Sequence, residues 1–471
     1  MQQRRFVGVT VLPEYIQTET IDGVLENLIR MGVTAVATSP YVMEPADERT
    51  GSREPPIDAG AGKVRLLDRP LWGKRELFVR TAPSFVPEKK LYQNLRYQPP
   101  PATELTHQRG KIIQEFIRAA QAKHLKVYFQ VQAAIPPGYR VQFGGPVEVD
   151  RPRLPNGQIP PRRLANNGSL ASSAIRDYGH ALIRDLCRAY PDINGIRFDW
   201  PEYPPYFLDD IFLDFGEPAQ AAARRLGFDF DKMRQAADSL YQKLHGGLTD
   251  ADLTPWAAAD GGRYFLLRRL ADQPALLDWP RFKALLVEEL LTGYRRVLTE
   301  AGGADKEMMP NAFPPPFTLA SGLDFARVAP LSSAISVKLY SMHWAMMLRF
   351  YGDALRQANP QLSDKALTRA LVRWFDIADD DGLPSLNDYR YPEPDEPHPA
   401  GLKALARKIH QAQADAGQTP ILALAHGYGP VDDFRRRLQA AAGASKYGFW
   451  INRYGYLSDE KMAVVRAISR G

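Results

Sequence analysis

Short runs rich in β-branched and aromatic residues alternate with amphipathic segments along the whole chain. In the segment 110–124, for example, apolar residues recur at Ile112, Ile113, Phe116 and Ile117, which is the spacing of one helix face. Eight of the short runs are predicted as strands, with helical patterns between them. The predicted strands lie in the stretches 5–13, 33–40, 125–134, 191–205, 307–313, 334–340, 420–427 and 447–455.

Eight strand–helix units predict an α/β fold of the (β/α)8 barrel type. A doubly wound open sheet is the alternative for the same alternation. The 471 residues exceed the roughly 250 that a barrel needs, so we expect one barrel domain over 1–471 with long insertions. Three of the four insertions follow the C-terminal end of a predicted strand, where barrel enzymes build their sites. The insertions are predicted at about 41–106, 137–171, 203–279 and 380–400.

Strand alternation predicts which side chains face the barrel axis. Ile196 and Phe198 should pack outward against the helices, so Arg197 and Asp199 should face inward. Inward positions low in a barrel are usually bulky aliphatics, whereas here they are polar or aromatic and concentrate at C-terminal strand ends. This pattern predicts a polar, aromatic-lined cleft for ring-shaped ligands. The other inward positions are Tyr128, Gln130, Gln132, Ser336, Lys338, Tyr340, Trp450 and Asn452, with His426 ending the seventh strand.

Asp199 and Glu202 are the candidate catalytic residues. Cleavage of a glycosidic bond needs one protonated and one ionised carboxyl group. Strict alternation would send Glu202 away from the axis, but Pro201 interrupts the strand and lets it turn back. Trp200 and Tyr203 are expected to shield one carboxyl and raise its pKa. The alternative for Glu202 is a solvated loop carboxylate.

Aromatic and polar side chains cluster at or just past the predicted strand ends, where rings can stack on sugars and polar groups can bind hydroxyls. Any single aromatic residue among them is more often part of a core, so the prediction rests on their concentration. Arg197 is additionally expected to hold Asp199 ionised and oriented. The predicted substrate-binding residues are Arg197, Trp200, Tyr203, Gln132, Lys338, Tyr340, His343, His426, Tyr428, Trp450, Asn452 and Arg453.

Two stretches carry a resemblance to known families. "LENLIRMGVTAVATSP" and "GIRFD" resemble strands of the alpha-amylase superfamily, and that resemblance implies that Asp199 is the nucleophile and Arg197 its partner. The chain departs from that pattern by having Asn311 in place of the acid/base Glu of the fifth strand. "NGIRFDWPEYP" also resembles, more weakly, the chitinase strand that runs Asp-x-Asp-x-Glu into Tyr-Pro.

The chitinase resemblance implies that Glu202 is the acid, with Tyr340 as a partner from strand six and Trp450 as the floor of the sugar site. Arg197 and Pro201 both break the chitinase pattern. Taken together, the two resemblances imply a divergent glycoside-hydrolase-like barrel. The expected activity is therefore that of a glycosidase or transglycosidase acting on an oligo- or polysaccharide.

Two other functions remain open. An inward Lys338 on strand six matches the position of a Schiff-base lysine in barrel aldolases and lyases, although pairing of Lys338 with Asp199 or another inward acid would also explain it. The missing carboxylate of the fifth strand is compatible with a carbohydrate-binding barrel that has no chemistry. The sequence leaves the oligomeric state open.

Composition excludes several other classes. The net charge of +6 comes from interspersed charges without a nucleic-acid motif, so no nucleic-acid partner is expected. No zinc spacing occurs among the histidines, the acidic stretch 376–381 misses the calcium-loop spacing, and we expect no metal and no cofactor. The most apolar stretch, 336–352, is interrupted by Lys338, His343 and Arg349, which argues against a membrane span. The N-terminus lacks an apolar signal segment before Pro13, and a cytoplasmic location is expected.

Overall fold

The computed structural model describes residues 5–58, 63–64, 66–140, 143–258 and 262–470. Eight parallel strands close into a barrel in which each strand pairs with its neighbours in chain order and the first pairs with the last. The closed barrel confirms the (β/α)8 prediction and rules out the open sheet. The barrel strands are β1 Phe6–Thr10, β2 Ala35–Thr38, β3 Lys126–Gln132, β4 Gly195–Asp199, β5 Glu307–Ala312, β6 Ile335–Leu339, β7 Ile421–His426 and β8 Gly448–Asn452.

Helices surround the barrel and bury their apolar faces against it. The helix after the first long insertion buries Ile113, Phe116, Ile117 and Ala120 and leaves Ile112, also on the predicted face, half-buried. The helix Ser173–Ala189 likewise buries Ile175, Leu182 and Leu186. The α-helices are Pro13–Glu19, Ile21–Arg30, Glu104–Arg109, Lys111–Ala122, Ser173–Ala189, Glu217–Arg225, Phe230–Leu244, Asp250–Ala257, Arg263–Asp272, Ala275–Gly302, Phe317–Ser321, Phe325–Val328, Ser341–Ala358, Asp364–Phe375, Leu402–Ala416, Val431–Ala444 and Asp459–Arg470.

The predicted insertions contain secondary structure of their own. In the first, Tyr41–Ala46, Leu77–Pro83 and Ser52–Glu54 form an antiparallel sheet, and Ile57–Asp58 pairs with Lys63–Val64. The third, which follows β4, contains the four helices between residues 217 and 272. Short 3₁₀ helices lie at Lys89–Tyr92, Glu148–Asp150, Leu208–Phe212, Ala329–Leu331, Leu386–Asp388 and Tyr454–Tyr456.

The side chains inside the barrel form a small cluster separate from the main core between strands and helices. Tyr128 and Trp450 belong to the inner cluster, whereas Phe198 and Phe449 belong to the outer core, as alternation predicts. Gly8 makes room for the inner tryptophan, because a Cβ at this position would lie 2.2 Å from the Trp450 ring. Within the described ranges, no helix is both long and apolar enough to cross a membrane.

Candidate active site

Arg197 of β4 lies in the middle of the barrel and is fully buried. Its guanidinium donates to Thr10 Oγ1 at 3.3 Å, Gln130 Oε1 at 3.1 Å, Asn311 Oδ1 at 2.9 Å and Ser336 Oγ at 3.4 Å, which come from four different strands. All four acceptors are neutral, and burial lowers the pKa of the guanidinium to about 10. Arg197 therefore joins the strands to one another.

The guanidinium of Arg197 also covers one face of Trp450, with its Cζ 3.8 Å from the ring centroid. Trp450 is completely buried and packs against Gly8 of the neighbouring β1 and Tyr128 of β3. The expectation that Trp450 forms the floor of a sugar site is wrong, because its face is occupied by Arg197 within the barrel. Arg197 is itself fully buried, which contradicts the expectation that it contacts a substrate.

Asp199 ends β4 and is partly exposed, with 15% of its side chain accessible. Its Oδ1 lies 2.7 Å from Nζ of Lys338 on β6 and accepts a hydrogen bond from Asn311 Nδ2 at 3.3 Å. Lys338 is 3% exposed, and its ammonium lies 5.1 Å from the Trp200 ring and 5.2 Å from the Phe313 ring. The predicted pairing of Asp199 with Arg197 is thus replaced by an ion pair with Lys338.

Glu202 is fully buried, which contradicts the alternative of a solvated loop carboxylate. Trp200 has φ 50°, a left-handed conformation that is rare for a bulky residue, and the strand ends there. The chain then turns so that Glu202 Oε1 accepts from the Phe313 backbone N–H at 2.8 Å and Oε2 accepts from Ser321 Oγ at 2.6 Å. Glu202 thereby lies against the segment that follows β5.

Burial raises the pKa of Glu202 to about 7. The charge of Lys338 and the hydrogen bonds from Ser321 and Phe313 oppose this increase, and the charge of Asp199 adds to it. Asp199 and Glu202 therefore lie near the same lysine in opposite environments. Asp199 is partly exposed and ion-paired, whereas Glu202 is fully buried.

Tyr203 does not line the cleft. Its ring is fully buried, its hydroxyl donates to Asp214 Oδ2 at 3.2 Å, and the same hydroxyl accepts from the Leu170 N–H at 2.9 Å. The Asn167 side chain donates to the Glu202 carbonyl at 2.7 Å. The side chains after β4 thus tie the loop that carries Glu202 to the insertion after β3.

Aromatic rings from β6 and β7 form a connected wall at the C-terminal end of the barrel. The Tyr340 ring centroid lies 5.6 Å from that of His343 and 5.1 Å from that of His426. His426 Nδ1 accepts from the Tyr428 N–H at 3.1 Å, and the Tyr428 hydroxyl donates to the Pro392 carbonyl at 2.9 Å. The structure thus brings Tyr340, His343 and His426 together in one edge-to-face array, to which Tyr428 is joined by its backbone hydrogen bond to His426.

Other predicted residues flank this wall at strand ends. Gln132 pairs in register with Asp199 across β3 and β4, and Asn452 pairs with His426 across β7 and β8. Gln132 and Asn452 are half-buried. Arg453 is buried, with its Nη1 3.7 Å from Glu54 Oε1, so it joins β8 to the first insertion.

Sequence reasoning missed the two groups that bind Glu202. Phe313 and Ser321 lie after β5, and only the fold brings them to the end of β4. The signal that could have found them is the Pro314–Pro315–Pro316 run, which fixes the path of the chain between them. In the described part of the chain, no group of three or more His, Cys, Asp or Glu side chains is arranged to hold a metal ion.

The raised pKa of Glu202 predicts a pH-dependent gain in stability for the Glu202→Gln variant. An unfolded glutamate loses its proton near pH 4.5 and the folded one near pH 7, so wild-type stability declines between these values. The variant has no such proton, and its advantage should grow to about 3 kcal/mol above pH 7. Melting temperatures of both proteins from pH 4 to pH 8 measure this difference. Parallel curves would contradict the assignment of a raised pKa.

No family model matches the chain, and a comparison with curated proteins finds no match. Solved structures match the fold over nearly its full length. The glycoside hydrolase domain of PgaB (BpsB) from Bordetella bronchiseptica matches with a TM-score of 0.53 and 10% identity, covering 99% of each chain. In fold, the chain is similar to this glycoside hydrolase barrel.

Two β-galactosidases match in the same way. The enzyme from the psychrophilic Marinomonas ef1 has a TM-score of 0.52 at 11% identity, and that from the haloarchaeon Halorubrum lacusprofundi has 0.52 at 12%. This chain is covered to 99% in both matches but spans only 59% and 57% of those chains. At such identities the likeness concerns the fold, and function must be argued from the residues of the barrel.

Proposed function

We propose that the chain is a glycoside hydrolase or transglycosidase that acts on O-glycosyl bonds of an oligo- or polysaccharide. Asp199 is the ionised carboxylate and Glu202 the proton donor. The observation that carries the proposal is the contrast between the two carboxyl groups at the end of β4: Asp199 pairs with Lys338 at 2.7 Å, while burial raises the pKa of Glu202 to about 7. A buried carboxyl group whose pKa is raised, next to a carboxylate held by a lysine, suits an acid and a base or nucleophile.

The surroundings of Asp199 support this division of roles. Lys338 and Asn311 hold its carboxylate in one orientation, and its partial exposure leaves it open to a ligand above the barrel. Tyr340 follows the strand that carries Lys338, His343 lies in the next helix, and His426 ends β7, and their rings are in edge-to-face contact. Flat aromatic and imidazole rings next to hydrogen-bonding groups are what sugar rings bind to.

The proposal makes Lys338 a partner of Asp199 and not a nucleophile. A Schiff-base lysine must be neutral to attack a carbonyl group. Nζ of Lys338 instead lies 2.7 Å from Asp199 Oδ1 and near the faces of two aromatic rings, so contacts within the protein already occupy it. These contacts argue against the aldolase or lyase alternative.

A carbohydrate-binding barrel without catalysis is the second candidate, and one observation favours it. Both carboxyl oxygens of Glu202 are occupied by protein donors, and the residue is fully buried. A proton donor must reach the glycosidic oxygen. In this reading, the cleft binds a sugar through Asp199 and the aromatic wall without cleaving it.

A panel of oligosaccharides and polysaccharides incubated with the protein separates the two candidates. The Asp199→Asn/Glu202→Gln double variant is the matched control, because it keeps the shapes of both side chains. Reducing-end release by the wild type that is absent from the double variant is the expected result. Sugar binding by calorimetry in both proteins, with no release from any substrate of the panel, would favour the binding barrel and contradict the hydrolase.

A further inference from the structure

The segment from Phe313 to Ser321, here called the 313–321 loop, supplies both hydrogen bonds to the carboxyl group of Glu202. The Phe313 N–H lies at its beginning and the Ser321 hydroxyl at its end. The Ser321 carbonyl also accepts from the Tyr203 N–H at 3.0 Å. The position of the Glu202 carboxyl therefore depends on the shape of this loop.

Two buried lysines hold the 313–321 loop from outside the barrel mouth. Lys283 Nζ donates to the carbonyl of Ala320, the residue before Ser321, and also to the Ile211 carbonyl at 2.7 Å. Lys408 Nζ donates to the Pro315 carbonyl at 2.7 Å and to the Phe375 carbonyl at 2.9 Å. Each lysine thus joins one end of the loop to a separate part of the structure.

Burying these two ammonium groups is energetically unfavourable. Both side chains are at most 1% exposed. Burial lowers the pKa of Lys283 to about 7, opposed by Asp214 and Asp210, and lowers that of Lys408 to about 7, opposed by Asp376. An apolar residue at either position would avoid this desolvation cost but would leave two buried carbonyls without a donor.

We infer that Lys283 and Lys408 are positioning residues for Glu202: through the 313–321 loop they fix where its two hydrogen-bond donors lie. Each lysine acts on Glu202 through the loop carbonyl that it binds, Ala320 for Lys283 and Pro315 for Lys408. The inference rests on the proposed function only in calling Glu202 a catalytic acid. The connection from the two lysines through the loop to the Glu202 carboxyl is supported by the hydrogen bonds alone.

The test is the pKa of the Glu202 carboxyl in the full-length protein, measured by infrared difference spectroscopy with Glu202→Gln to assign the band. Ser321→Ala removes one donor directly and serves as the reference. It should raise the pKa of Glu202 by about one unit, a tenfold change in the ionisation constant. Lys283→Met and Lys408→Met keep the aliphatic stems and should shift the pKa in the same direction. An unchanged or lowered pKa in both lysine variants would overturn the inference.

Lys461→Met is the matched control for burying a methionine in place of an ammonium. Lys461 is also buried, but its Nζ contacts Asp68 Oδ2 at 2.7 Å and the Gly427 carbonyl at 2.9 Å instead of the loop. Its replacement should lower the melting temperature without moving the pKa of Glu202. An equal shift in this control would show a nonspecific effect and overturn the inference. The pKa measurement uses no substrate. Its result therefore tests the role of the two lysines even if the protein hydrolyses no sugar.

Discussion

Replacement of Asp199 by Asn should lower kcat/KM on any hydrolysed substrate by about 10²–10⁴-fold. The amide has nearly the shape of the carboxylate but lacks the negative charge needed to stabilise positive charge on the sugar or to activate water. The side chain is partly exposed beside Lys338, so little structural rearrangement is expected. Steady-state kinetics on the best substrate of the panel, with the melting temperature as a folding check, measures the effect.

Lys338→Met is the control for the Asp199 variant. It removes the partner of Asp199 at 2.7 Å but leaves the carboxylate in place, held by Asn311. A smaller loss of activity than in Asp199→Asn is expected, because the carboxylate then remains present but is less firmly oriented. Wild-type activity in a folded Asp199→Asn variant would rule out Asp199 as the reacting carboxylate.

Replacement of Arg197 by Ala should lower the free energy of unfolding by about 3–5 kcal/mol. The change leaves a cavity next to the Trp450 ring. It also leaves the side-chain amide oxygens of Gln130 and Asn311 without their donor inside the barrel. Losses of this size are a large part of the stability of a typical domain. Urea unfolding followed by tryptophan fluorescence measures the change.

Arg197→Met tests the same claim with the volume largely kept. It should cost less than the alanine variant, because methionine fills most of the arginine's volume, although the guanidinium's hydrogen bonds and its stacking on Trp450 are lost. An alanine variant within 1 kcal/mol of wild type would show that the network contributes little to stability, a size typical of exposed contacts.

The barrel could be predicted from sequence because its signal is repeated. Each strand is a short apolar run, and the same alternation that packs Ile196 and Phe198 against the helices turns Arg197 and Asp199 inward. This periodicity predicts where side chains point, because the pleat of a strand sends successive side chains to opposite faces. Even the fifth strand, which contains Pro310, is in register with β4 through Asn311 and Asp199.

The site could be predicted only where one strand determines it. Alternation identifies Arg197 as inward but cannot say that its partners are neutral side chains of four other strands or that Trp450 lies under it. It likewise places Lys338 inside and suggests Asp199 or another inward acid as its partner, but it cannot choose between them. Pairings across a barrel depend on the stagger of the strands, which no single run of sequence contains.

The position of Glu202, which lies outside the strands, could also be predicted only in part. Pro201 indicates an interruption, yet the direction of the turn depends on the left-handed backbone of Trp200 and on donors from residues more than a hundred positions away. The lysines that hold those donors lie in helices with ordinary amphipathic patterns, where a lysine normally predicts a solvent-facing position. Their role becomes visible only from their burial and their contacts.

The most direct test of the carboxyl pair is the kcat/KM of Glu202→Gln on two aryl glycosides of the same sugar, one with a poor and one with a good leaving group. A dinitrophenolate needs no proton to depart, whereas an unactivated phenolate does. We expect the variant to lose about 10²–10⁴-fold on the poor leaving group and little on the good one. The wild-type decline in kcat/KM above pH 7, expected from the pKa of about 7, should be absent from the variant. Equal rates for variant and wild type on the poor leaving group, with the same decline above pH 7, would contradict the assignment of Glu202 as the acid.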